Sequence, residues 1–268
     1  MRGVAIGKIA NPDIRWEKQK TGNAGVDISL FDSSLRISLD AYQRETEDLL
    51  IDAQVSGLLG ISAPGSGSPF INAGTVRNQG LEAAIAYNTN FTKDLSFNIS
   101  YNISSVDNEV LFVESENGFQ QGGDWGVGIG VIPSRMEAGF PLGYFYGYKT
   151  NGLYQNQAEI DALDSQAFDL DGKSIDYHDG AEVGDLKFVD VNGDGYISDK
   201  DKTYLGDPIP DFTMGLSIGF GYKNFDFSAS AYASIGNDMV RDYERQVTGA
   251  NRGTYMLNRW TPETGGNT

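Results

Sequence analysis

The chain contains no cysteine, which rules out a disulfide framework, a thiolate nucleophile and a cysteine metal site. It has one histidine, His178, set among acids in "IDYHDGAE". That residue reads as a solvated loop position with no base or nucleophile beside it. Without a Ser/His/Asp or Cys/His arrangement, the sequence argues against an enzyme. Cations are scarce as well: Lys plus Arg number 20 against 37 Asp plus Glu, a formal charge of −17. Such a surplus repels phosphate backbones and excludes nucleic acid as a partner. No apolar run approaches the roughly 20 residues of a membrane helix. The start, "MRGVAIGKIANPDIRWEK", lacks the apolar stretch and small-residue cleavage site of a signal peptide. For an exported protein, the expectation is therefore that residue 1 is not the natural N-terminus. Neither absence counts against membrane-spanning strands, which cross with about 9–11 residues and turn only half of them to lipid.

Glycine, by contrast, is abundant at 34 residues, and with Asn, Ser and aromatics it points to antiparallel β structure with many turns. The clearest segment is "LSFNISYNIS" (95–104). Leu95, Phe97, Ile99, Tyr101 and Ile103 alternate with small polar residues throughout, giving one apolar and one polar face. The same alternation runs through "GVDISLF" (25–31) and "LRISLDAYQRETEDLLI" (35–51), a hairpin around "DSS". "QGLEAAIAYNTNF" (79–91) forms a second hairpin with the strand from Leu95. "FTMGLSIGFGYK" and "NFDFSASAYAS" form a third, turning at Lys223-Asn224. Tight turns at one end alternate with long connections at the other. The longest connection, about 151–211, is acidic, and only "NQAEIDAL" (156–163) in it looks helical. Short turns opposite long loops are the layout of an outer-membrane barrel. The expected fold is all-β: seven to nine antiparallel strands of a larger transmembrane β-barrel, with long extracellular loops.

Within the acidic stretch, "DVNGDGYISDKD" (190–201) has the spacing of a calcium loop. Asp190, Asn192 and Asp194 occupy positions 1, 3 and 5, with Gly195 at the sharp turn. Tyr196 would give its carbonyl at position 7, Ser198 lies at position 9 and Asp201 closes the loop at position 12. Hard oxygens at this spacing suit Ca²⁺, although Asp201 stands where a sensor loop carries Glu. The alternative is an Asx-rich turn facing water. Extended "DLKFV" precedes the loop, and Pro208 and Pro210 follow it. Two flanking helices are therefore excluded, and the loop is a staple rather than a switch.

Longer blocks resemble a known family. "NPDIRWEKQKTGNAGVDISLFDSSLRISLDAYQRETEDLL" (11–50), "AGTVRNQGLEAAI" (73–85), "GFPLGYFYGYKTNGLYQNQAEI" (139–160), "GDLKFVDVNGDGYISDKDKTYLGDPIPDFTMGLS" (184–217) and "GNDMVRDYERQ" (236–246) are similar, in that order, to stretches of SusC/RagA-type TonB-dependent transporters. The resemblance implies a barrel of about 22 strands with a plug in the outer membrane, importing oligosaccharides or peptides. It also implies a SusD-type surface lipoprotein as partner and energy through TonB. Residues 1–268 would be part of the barrel domain, without plug, TonB-contact segment or final strands, and 151–211 an extracellular loop region. A piece of this kind is expected neither to close nor to transport alone.

Substrate contact is expected at aromatics, whose faces stack on sugar rings. The candidates are Tyr144, Tyr146, Tyr148 and Tyr154 in "GYFYGYKTNGLYQ" (143–155), and Trp125 in "GGDWGVGIG". The same tyrosines also fit a membrane-interface girdle or packing against a plug. A rival reading is a secreted, calcium-stabilised β-sandwich for adhesion or carbohydrate binding. Such a fold would hide its apolar faces against a second sheet.

Overall fold

The computed structural model describes residues 10–53, 67–123, 132–169, 171–241, 253–263 and 265. Among these described residues, twelve strands and one α-helix follow in chain order. They are β1 (Lys18–Leu30), β2 (Leu35–Asp52), β3 (Phe70–Thr92), β4 (Leu95–Val113), β5 (Phe119–Gln121), β6 (Ser134–Glu137), β7 (Tyr144–Tyr148) and β8 (Thr150–Leu153). Then come α1 (Gln157–Asp164), β9 (Leu186–Phe188), β10 (Lys202–Gly206), β11 (Phe212–Tyr222) and β12 (Phe225–Ile235). The chain divides into two units. One takes in residues up to 122, 135–144 and 207–239; the other takes in 145–206 with flanking pieces.

The first unit is built on a six-stranded sheet in the order β1-β2-β3-β4-β11-β12, every pair antiparallel. The sheet has fewer strands than the seven to nine expected, and the remaining strands are short. Its three hairpins are the expected ones, and the last turns at Lys223, whose φ is 54°. Register explains why alternation in single strands becomes a property of the whole sheet. Val26, Leu39, Ala83, Ile103, Met214 and Ala233 line up across all six strands. So do Ile28, Ile37, Ile85, Tyr101, Leu216 and Ala231, and then Leu30, Leu35, Tyr87, Ile99, Ile218 and Ala229. The rows between them face the other way and carry Ser, Asn, Gly and a few charges, as in Ser29, Arg36, Ala86, Ser100, Ser217 and Ser230.

On β11 the apolar rows run from Phe212 to Tyr222. That is about 33 Å along the strand at ~3.3 Å per residue, or about 25 Å of height at the usual barrel tilt. It matches the apolar band of an outer-membrane barrel. Toward the tight turns the band ends in exposed aromatics, including Phe91, Phe225 and Phe227, which form an interface girdle. Toward the long connections it ends in charge. Lys20, Glu45, Arg77 and Glu109 share one row, and Lys20 pairs with Glu47 and Arg77 with Glu109. No helix among the described residues is long and apolar enough to cross a membrane.

Above the band, the polar face carries the first unit's small core. Val76, Val110, Val113 and Met136 are buried together, with Leu49, Ile51 and Leu142 against them. Past Ser105, β4 has no partner in β11, and residues 139–142 close that edge. Val110 N–H donates to the Phe140 carbonyl at 2.9 Å, and Gly139 N–H donates to the Val110 carbonyl at 2.8 Å. The buried Asn108 completes the seal, accepting from Leu142 N–H at 2.6 Å and donating to Asn78 Oδ1 at 2.7 Å. The backbone N–H and C=O of Val110, which β11 does not reach, are thus both paired.

In the second unit β7 pairs with β10 and β8 with β9. Helix α1 starts at Gln157, one residue later than the sequence suggests, and is capped by Asn156, whose side chain accepts from Glu159 N–H. The sandwich alternative fails on the sheet itself. Among the described residues no second layer covers the apolar face, and Leu81, Ile85 and Phe227 stay exposed.

Candidate functional site

The acidic loop folds as its spacing demands. Gly193 and Gly195 take φ of 75° and 92°, a left-handed conformation that a side chain disfavours. The chain therefore curls until the carboxylates of Asp190, Asp194 and Asp201 converge, with one oxygen from each within 4.8 Å of the others. Two oxygens that share an ion at ~2.4 Å can be at most about 4.8 Å apart, so the cluster could hold a metal ion. Backbone amides hold the carboxylates in place. Asp190 accepts from Gly193 N–H at 2.6 Å and Gly195 N–H at 2.8 Å. Asp201 accepts from Val191 N–H at 2.9 Å and Ser198 N–H at 2.7 Å. Asn192 Oδ1 accepts from Asp194 N–H at 2.8 Å. Tyr196 N–H makes a longer contact with Asp194 at 3.4 Å.

Asp201 is 0% exposed. Burial opposes its ionisation, but the amide donors from Ser198, Val191 and Asn192 outweigh burial and hold its pKa below the usual 3.8. Ser198 also caps a one-turn 3₁₀ helix at Asp199–Asp201, reciprocally with Asp201. The converging carboxylates are thus also the groups that hold the loop's backbone together.

The tyrosines are placed apart. Tyr144, in the first unit, is buried, stacks on Phe140 at 4.6 Å and donates its hydroxyl to Glu137 at 2.5 Å. Burial, reinforced by Glu137, pushes its pKa far up. In the second unit Tyr154 is buried, and burial pushes it to about 12. Tyr146 and Tyr148 are half-buried. Tyr148 stacks on Phe188 at 4.7 Å and donates to Asp199 at 3.2 Å, while Lys202 donates to the same carboxylate at 2.7 Å. Tyr148 therefore braces the 3₁₀ turn that ends the acidic loop. Trp125 lies outside the described residues.

Two features escaped the sequence reading. His178 is not a solvated loop residue: it is half-buried, 5.0 Å from the Phe188 ring and 6.2 Å from the Tyr154 ring. Tyr177 accepts from Asp190 N–H at 3.3 Å and, with Glu159, Lys187 and Phe188, lines a cavity of about 450 Å³. Neither residue belongs to a spacing pattern, and a neighbouring acid run gives no hint of rings packed behind it.

A transmembrane apolar band, a polar opposite face and tight turns at one end meet one family profile. Residues 2–260 match the TonB dependent receptor-like β-barrel family. The chain belongs to that family. It is 32% identical over 274 residues to TonB-dependent receptor P3 of Formosa agariphila, an alignment covering 98% of this chain and 25% of the relative. It is 31% identical over 236 residues to TonB-dependent receptor SusC of Bacteroides thetaiotaomicron, covering 88% and 21%. The chain thus spans about a quarter of the curated relatives it matches. Among solved structures, the RagAB peptide importer in its open-open state superposes with a TM-score of 0.63 at 22% identity, covering 99% of this chain and 26% of that one. This likeness carries the fold. The chain is thus a TonB-dependent receptor β-barrel segment, from a family of outer-membrane proteins.

Proposed function

We propose that this receptor segment forms part of the barrel wall of an outer-membrane transporter that imports oligosaccharides or peptides, energised through TonB and working with a SusD-like surface lipoprotein. The band of apolar rows, about 25 Å tall on the barrel geometry, carries the proposal, because it places the polar Ser/Asn/Gly face toward a water-filled lumen. Likeness to the RagAB peptide importer supports the peptide class and a paired partner chain, and the TonB-dependent receptor SusC among the relatives supports TonB as the energy source. Tyr146 and Tyr148, half-exposed in the acidic second unit, are the proposed substrate contacts among the tyrosines, whereas Tyr144 and Tyr154 are buried. Trp125 is proposed as a further contact.

The loop 190–201 is proposed to bind Ca²⁺ through Asp190, Asn192, Asp194, the Tyr196 carbonyl, Ser198 and Asp201. It would order the extracellular segment 151–211 on which a lipoprotein lid docks. The test is uptake of labelled oligosaccharides and labelled peptides by cells carrying the full-length receptor, with and without TonB. Import of one class that stops without TonB is the expected result; uptake of neither overturns the proposal. Terbium luminescence, displaced by Ca²⁺ and abolished in D190N/D194N, tests the loop separately.

A further inference from the structure

The apolar face is not uniformly filled. Its middle row carries large side chains from β1 to β11, Ile28, Ile37, Ile85, Tyr101 and Leu216, and ends in Ala231 on β12. Nearer the long connections, large and small residues face each other across the strand pair: Leu39 opposite Ala83 and Leu81 opposite Ala41. The small residues lie on one diagonal, with Ala24 beside Ala41. The result is a groove of about 640 Å³, almost wholly apolar, with alanine along its floor and Leu39, Leu81 and Phe212 among its walls. Leu81 stands clear of the sheet, 64% exposed, so the walls are tall relative to the floor. The groove is continuous with the lipid-facing band and opens toward the ion-paired row of Lys20 and Arg77. That row lies about 13 Å further along the strand at ~3.3 Å per residue.

We propose that this groove is a specific binding site for one acyl chain of lipid A, the acylated glucosamine lipid of the outer leaflet. The leaflet follows from orientation: the groove lies at the long-connection end of the band, opposite the tight turns that face the periplasm. Recognition runs through the chain and not the headgroup. The cations of the rim are already engaged, Lys18 with Asp48 at 2.9 Å, Lys20 with Glu47 and Arg77 with Glu109. A phosphate would have to displace a carboxylate to reach any of them. A chain lying in the trench instead covers apolar wall on both sides, where a flush surface offers contact on one side only.

Native mass spectrometry of the full-length receptor, extracted from outer membranes and exchanged into fresh detergent, tests this. The expected result is a retained adduct of lipid A mass that survives high salt and the K20Q/R77Q variant. Filling the floor with A41L/A83L should lower the retained fraction by about tenfold, equivalent to losing the burial of roughly two chain methylenes. Should that variant fail to assemble, L81A, which removes a wall, must also lower retention. Four results would overturn the proposal: undiminished retention in both variants, an adduct with phospholipid mass, loss of the adduct in high salt, or a second receptor copy released by A41L/A83L.

Discussion

At the scale of single residues, glycines and carboxylates set the tolerances. Gly80 lies under the Tyr42 ring, and a Cβ there would come within 2.1 Å of the Ser105 carbonyl oxygen. Because that neighbour is backbone, it cannot rotate away. Gly80→Ala should therefore destabilise the folded barrel by about 1–3 kcal/mol, whereas Gly22→Ala, with nothing within 4 Å, should not; guanidinium titration in micelles compares the two. Asp201 makes a different prediction. Its folded pKa is held below 3.8, so its stabilisation is complete above that value and is lost as pH falls through the lower folded value. Protease resistance of the loop should persist at about pH 5 and fail only below the ordinary carboxylate range. Asp201→Ala should be cleaved at every pH, because four hydrogen-bond donors lose their acceptor.

At the scale of elements, the apolar and polar faces of one strand should respond unequally to the same charge. Ile85→Arg places a guanidinium in the middle of the lipid-facing band and should cost about 2–4 kcal/mol. Ala84→Arg, next door on β3 but facing the lumen, should cost far less; refolding into lipid vesicles under urea measures both. The same asymmetry explains what the sequence revealed. Strands were legible wherever lipid enforces alternation, as in Leu95–Ser104. They were not legible where a strand leaves the band. β1 begins at Lys18, but "KQKTGNA" carries no alternation, since outward positions above the lipid are free to be Lys20 or Gly22. The acidic loop was legible down to each carboxylate, because fixed spacing and glycine φ determine its shape. The burial of Tyr144, Tyr154 and His178 was not, because it depends on which segments return to pack on them.

At the scale of the whole molecule, β1 and β12 are the outer strands of the sheet, and their free edges cannot face hydrocarbon unpaired. The 268-residue chain by itself should therefore give no stable conductance in planar bilayers; steady single channels would contradict the barrel-wall reading. The connection between β4 and β11 has a further consequence. These strands are neighbours in the sheet, although residues 114–211 lie between them. A chain that leaves a wall and re-enters it at the next strand adds nothing to strand count or stagger. Such a segment is a cassette in the evolutionary sense. It can diverge, lengthen or be exchanged between paralogues while the wall stays the same, so new specificities can arise by replacing this one stretch of gene.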